Sequence, residues 1–382
     1  MLKSLQSSIA FSLLALAVAM GLNGCSTEVE LNAPYERSTV VFGLLDPAED
    51  AQWIRINRTW LGEGNQLDFA LVADSSEYQS GDLIARVDGF ELNDELMTIP
   101  VVSYEIRDTL LDNKAENGVF FAPQYRAYTF DSPGGLDESL QYKLSISFAD
   151  SSAPITAVTT LIGNAVGNIS NPPAGLPGFG LNWASTGGGF SSYQKINFKW
   201  STTEGAKRYE VGLKIYYTER LWADAAHTNL VSETDHELNW ALGTEFSTDD
   251  LGGEEIKLRV DGEQFYRFLA SRLSHDPLVT RVLGYWDENI QKERAFDFIL
   301  TIGNSELDTY LSVNAPVTGV IQDRPEYTNI SGGIGLWASR TKQQVAGLGY
   351  SLSTMRELVE GNITAELYFC SPSPFSDYSC DN

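Results

Sequence analysis

Three histidines, 51 carboxylates, three cysteines and eight tryptophans are the side chains of this sequence that could do chemistry. His227, His236 and His275 share no HExxH or comparable spacing, so they do not group into a zinc ligand set. Two acidic, glycine-containing stretches, STDDLGGEE (247–255) and DNKAENG (112–118), are of the kind that can hold a hard cation. Their carboxylates fall out of register with the calcium-loop pattern, and solvated turns describe them better. No GxSxG elbow is present, NISGG (329–333) being only superficially similar, and no GxxxxGK[ST] phosphate loop occurs. Fifty-one acidic residues always allow some pair at glycosidase spacing, so the count by itself points nowhere. The chain therefore offers no catalytic, cofactor-binding or metal-ligating residue. It is expected to be no enzyme and to use no cofactor.

Aromatic side chains give a different kind of signal. Trp200 and Trp240 lie in phase with apolar strand neighbours and are expected in a core. Trp53 falls on the opposite phase from Ile54 and Ile56, and Trp60, Trp183, Trp222 and Trp286 lie near strand ends or in loops. Exposed aromatics of this sort can stack on glycan or protein, and Trp53 and Trp60 are the candidate ligand contacts. Packing inside or between sandwiches is the plainer use of most of them. Asp108-Thr109-Leu110 matches the short Asp-Ser/Thr-apolar pattern glycosylated in some Bacteroidota envelope proteins, which makes Thr109 a candidate O-glycosylation site.

The cysteines carry the clearest message. MLKSLQSS places one positive charge at Lys3, and an apolar run follows from Ile9 to Leu22. That run is shorter than the roughly 20 residues needed to span a bilayer core, and its flanks describe a secretory signal peptide. Leu22-Asn23-Gly24-Cys25 resembles the lipobox of bacterial lipoproteins, which implies lipidation of Cys25 after removal of residues 1–24. Glu28 and Glu30 in CSTEVE look like a loose version of the acidic signal that exports Bacteroidota lipoproteins to the cell surface. Cys370 and Cys380 remain as an even pair, a candidate disulfide in an oxidising compartment.

Cleavage before Cys25 takes 24 of the 382 residues and leaves 358, enough for two or three domains. Lys and Arg total 26 against 51 acidic residues, a net charge of −25 that argues against nucleic acid and against adhesion to anionic lipid. A lipid on Cys25 would have to hold the membrane alone.

Those side chains must be positioned by sheets. QYKLSISF (141–148) puts Tyr142, Leu144, Ile146 and Phe148 on one face, and VVFGLL, WIRINRT, DLIARV, VVSYEI and YRAYTF add short strands between polar turns. The chain is expected to be mainly β, with two β-sandwich domains of immunoglobulin/fibronectin-like type. After the tether 25–35 the first spans 36–163. A Gly/Pro/Asn-rich linker or surface loop covers 164–190, and the second domain runs from 191 to 382. INFKW and RYEVGLKIYYTE begin that second domain with Ile196, Phe198 and Trp200, then Tyr209, Val211, Leu213, Ile215 and Tyr217, each set in phase. Helices intrude there: DGEQFYRFLASRL with Asp261 as cap, SELDTYLSV with a serine cap, and STMRELVEG ending in glycine.

VVFGLLDPAEDAQWIRINRTWLGEGN (40–65) and DRPEYTNISGGIGLWASR (323–340) resemble an uncharacterised family of Bacteroidota outer-membrane lipoproteins. Its members are commonly encoded near TonB-dependent receptors. The resemblance implies an outer-membrane, lipid-anchored body acting by binding, as accessory partner of such a transporter or of an assembly complex, and the acidic residues after Cys25 point to the cell exterior. An independent glycan-binding or adhesive role is the alternative, followed by a hydrolase with an unrecognised carboxylate site. In the second stretch Gly332, Gly333 and Gly335 would allow a tight turn or bulge before the strand IGLWAS.

Overall fold

The computed structural model describes residues 38–62, 64–176, 178–187, 190–316, 326–373 and 376–380. Cys25, the acidic tether and the signal segment lie outside them.

The chain is mainly β, and its strands build two sandwiches with short helical insertions. The first sandwich contains β1 (Thr39–Leu45), β2 (Ala51–Arg58), β3 (Leu83–Glu91), β4 (Val102–Leu111), β5 (Tyr125–Asp131), β6 (Leu140–Phe148) and β7 (Ile155–Thr160). They pair in the order β7-β6-β3-β4-β5-β2-β1. Strand β4 changes partner midway: Val102 to Ile106 lie opposite β3, and Arg107 to Leu111 lie opposite β5. One strand thus passes from one layer to the other. Alternation does the rest, since successive side chains point to opposite faces. Ile54 and Ile56 of β2 share one core with Val41, Val87, Tyr142, Leu144 and Ile146. Two short helices, α1 (Gln66–Ala70) and α2 (Ala73–Ser76), sit between β2 and β3, in a half where the sequence pattern gave no helix.

The Gly/Pro/Asn-rich stretch carries β8 (Ile169–Asn171), β9 (Gly180–Leu181) and β10 (Ala184–Gly187). Trp183, expected near a strand end or loop, is fully buried and stacks on Phe265 with ring centroids 5.1 Å apart. Leu181, Trp183 and Ala184 belong to the second core.

The second sandwich is built from β11 (Phe190–Tyr193), β12 (Lys195–Ser201), β13 (Arg208–Trp222), β14 (Leu230–Phe246), β15 (Glu255–Asp261), β16 (Val279–Leu283), β17 (Tyr285–Asp287), β18 (Lys292–Arg294) and β19 (Phe296–Gly303). A three-stranded sheet, β15-β12-β8, supplies Phe198 and Trp200. Phe198 stacks at 5.0 Å on Phe298 of β19 in the other layer. Helix α3 (Gly262–Arg272) starts at Asp261, whose carboxylate accepts the Glu263 N–H at 3.2 Å. Helix α4 (Ser305–Val313) is capped by Asn304 rather than by serine, because Asn304 Oδ1 reaches the Leu307 N–H. Ser305 is already inside the first turn.

The chain then returns to its beginning. Strand β20 (Ile330–Ser331) pairs with β7, a turn at Gly332 (φ +80°) follows, and β21 (Ile334–Tyr350) runs for 17 residues. Its first part lies parallel to β1, from Val40 opposite Ile334 to Leu45 opposite Ser339. From Arg340 onward it pairs antiparallel with β19. Parallel neighbours need a long crossover, and here it takes in every element from β2 to β20. Helix α5 (Leu352–Glu360), capped by Ser351, and β22 (Phe369–Cys370) complete the second body.

Trp337 holds the joint. It is fully buried in the first core, and its Nε1–H donates to the Tyr142 carbonyl at 3.0 Å, across to the other layer. The Asn329 side chain accepts from the Trp337 N–H at 2.9 Å and donates to its carbonyl at 2.6 Å. Gly43 lies directly opposite in β1, and a Cβ there would overlap the indole. Gly43→Ala is therefore expected to cost about 1–3 kcal/mol by overpacking, read as a lower urea midpoint with unchanged slope.

Candidate functional site

The residues singled out in the sequence fall into different places. Cys370 and Cys380 are disulfide-bonded. Thr109 is half-buried on β4 opposite Ala127, beside an ion pair between Asp108 and Arg126. Trp53 points outward from β2 and is 50% exposed. It shares a row with Thr129 and Arg107, and Arg107 forks onto Asp131 with two bonds of 2.7 Å. The row thus ends in a bidentate charge pair on the same outer sheet face.

Trp60 is half-buried and meets Phe120 edge-on, with centroids 6.2 Å apart. The N–H of Phe121 donates to the Ala70 carbonyl at 2.8 Å, which ties this loop to α1. Lys114 lies over the Phe120 ring and donates to the Phe121 carbonyl at 2.7 Å. Burial, then the nearby Arg55 charge, lowers the Lys114 ammonium pKa from its usual value. Leu67, Leu71, Val72, Val119 and Phe120 are all exposed around this corner. Together they leave an apolar corner facing water.

The histidines stay apart. His227 bonds the Pro277 carbonyl, His236 stacks on Tyr217 beside Glu219, and His275 meets Glu366. Among the described residues no three His, Cys, Asp or Glu side chains are placed to hold a metal ion. In the 247–255 loop the carboxylates serve the turn itself: Glu254 accepts from the Thr248 N–H at 2.9 Å, and Asp249 from the Leu251 N–H at 2.9 Å.

Among the hollows not foreseen, two bear on function. The larger, about 910 Å³, lies between the sandwiches and is lined by Glu138, Glu204, Asp250 and Glu306. Burial raises the Glu306 carboxyl above its usual range and the Asp250 charge adds to this, against the pull of its own backbone N–H. Burial likewise raises Glu138. These four residues come from separate turns and a helix start, so no sequence motif could have grouped them. A raised carboxyl pKa means the folded state holds its proton longer than the unfolded chain does. The associated stability is present at low pH and is lost as pH rises through the folded pKa. Glu306→Gln is thus expected to raise the melting temperature at pH 7, with the gain vanishing toward pH 4, as thermal scans across pH would show.

The smaller hollow, about 370 Å³, lies between the β17–β18 hairpin, α5 and the disulfide loop. Trp286, 59% exposed, stands at its edge with Lys292 and Glu293.

No family model and no curated protein matches the chain. A solved structure described as "Biofilm associated protein - BSP domain" is similar at 7% identity over 83% of this chain and 62% of that one, with a TM-score of 0.13. The chain thus spans less than two thirds of that protein, and a superposition so poor carries no argument about fold or role.

Proposed function

We propose that this protein is a lipid-anchored outer-membrane protein of a Bacteroidota cell that works by binding, as accessory partner of a TonB-dependent transporter. The observation that carries the reading is the apolar corner around Trp60, Phe120 and α1, on the same sandwich that the lipidated tether enters at β1. The lipobox at Cys25 and the two family-like stretches support the address. A net charge of −25 makes an apolar corner with Lys114 at its rim the part of the surface best suited to another envelope protein.

A mild-detergent pull-down of the tagged protein from its own outer membrane tests this, with Cys25→Ala and Leu67→Glu/Phe120→Glu as comparisons. A TonB-dependent receptor identified by mass spectrometry with the native protein, and lost with the corner variant, is the expected result. Both replaced side chains are exposed, so the corner variant should keep its unfolding midpoint. Receptor recovery that ignores the corner variant, or a native protein without acyl chain, would sink the reading.

A further inference from the structure

We propose that the groove between the β17–β18 hairpin, α5 and the Cys370–Cys380 loop is a binding site for a neutral saccharide, with Trp286 as its stacking platform. This goes beyond the transporter reading and rests on the other sandwich.

Strand alternation sends Tyr285 and Asp287 toward the body and leaves Trp286 outside, paired across the hairpin with Glu293. The inner side of the hairpin is fastened. Arg294 bonds both Asp287 and the buried Asp297, and its guanidinium lies 4.5 Å from the centre of the Tyr216 ring. Tyr216 meets Tyr285 edge-on at 4.9 Å. The indole is therefore carried on a fixed frame, and a fixed aromatic loses little conformational freedom when a ligand covers it.

The hollow beside it joins that flat apolar face to hydroxyls, a carboxylate and an ammonium: Ser371, Ser373, Glu293 and Lys292, over a floor that includes Tyr350 and Met355. A pyranose presents the matching surfaces, C–H groups on one face and hydroxyls that both donate and accept around the edge. An anionic ligand would meet Glu293 and a chain of net charge −25. A second hollow of about 480 Å³ shares Met355, Ser371 and Ser373 and continues past Arg356, Asp377 and Tyr378. Each volume is in the range of small-molecule pockets, so a chain of several sugar rings fits the pair better than one ring does. The shared wall is held by the disulfide, with the Ser371 N–H donating to the Tyr378 carbonyl and the Cys380 N–H to the Ser371 carbonyl.

Isothermal titration of the intact protein with maltotetraose, cellotetraose and tetra-N-acetylchitotetraose tests the assignment. At least one of the three is expected to bind, and Trp286→Ala to weaken it about tenfold or more. Trp286→Tyr, which keeps an aromatic face, should retain most of the affinity and so separate loss of the platform from loss of the fold. Ile84→Ala, an exposed apolar position on the other sandwich, should bind as the native protein does. Absence of binding by all three sugars overturns the proposal, as does affinity unchanged by Trp286→Ala or an equal loss in Ile84→Ala.

Discussion

Trp337→Ala is expected to lower the unfolding free energy by about 4 kcal/mol, among the larger effects a single side chain can have. Truncation removes a fully buried indole and leaves a hollow between β1 and β6, where the ring now lies against Gly43. The indole's hydrogen bond to the Tyr142 carbonyl is lost at the same time, which adds to the cost of the hollow. The damage should be uneven. Strands β1, β2 and β6 share the core that Trp337 fills, whereas β13 and β19 draw on the other one. Hydrogen exchange should therefore show amides of β1, β2 and β6 opening well before those of β13 and β19. A urea-derived loss below about 1 kcal/mol would mean that the joint is held by its backbone ladder and not by the indole.

The same residue shows where the sequence could be read and where it could not. Alternation in WIRINRT and QYKLSISF was enough to place Ile54, Ile56, Tyr142, Leu144 and Ile146 inside. A period of two reports burial directly, because the core takes every second side chain. It does not report partners. IGLWAS reads as a strand, yet nothing in it says that its neighbour is VVFGLL at the other end of the chain. The two family-like stretches turn out to be adjacent strands of one sheet, and that adjacency depends on the path of all the residues between them. Trp183 does lie at a strand end, between β9 and β10, but its burial was not legible, for a related reason. Glycine and proline around it suggest a loop, whereas the second core has room for an indole against Phe265 and Trp240. Helices α1 and α2 are too short to show a period. At the candidate surfaces the phase of Trp53 was legible, since it opposes Ile54 and Ile56. The corner around Trp60 was not, because it is assembled from β2, α1 and the 118–121 loop.

Asp297→Ala is expected to cost about 3–5 kcal/mol, chiefly through what it strands. Asp297 is fully buried, yet its carboxylate is surrounded by donors: the Arg294 guanidinium, the Tyr216 hydroxyl at 3.0 Å, the Gln344 amide and the Gly347 N–H at 3.0 Å. Alanine would leave Arg294 with Asp287 as its remaining carboxylate and three neutral donors without an acceptor. A buried pair seldom adds much stability over well-packed apolar residues, but breaking one is severe because the surviving charge stays buried. This predicts a definite non-additivity. Arg294→Met combined with Asp297→Ala should cost less than the two single losses summed, with a coupling above about 1 kcal/mol in urea unfolding. Strict additivity would mean that water reaches the site and screens Arg294 once the carboxylate is gone. The hairpin supplies a second readout, since Arg294 and Tyr216 fix its inner face and Trp286 rides on its outer one. If Asp297 is what locks that frame, Asp297→Ala should loosen Trp286 even at temperatures where the rest of the sandwich remains folded, and the order of its indole ring by NMR relaxation should fall before that of Trp183.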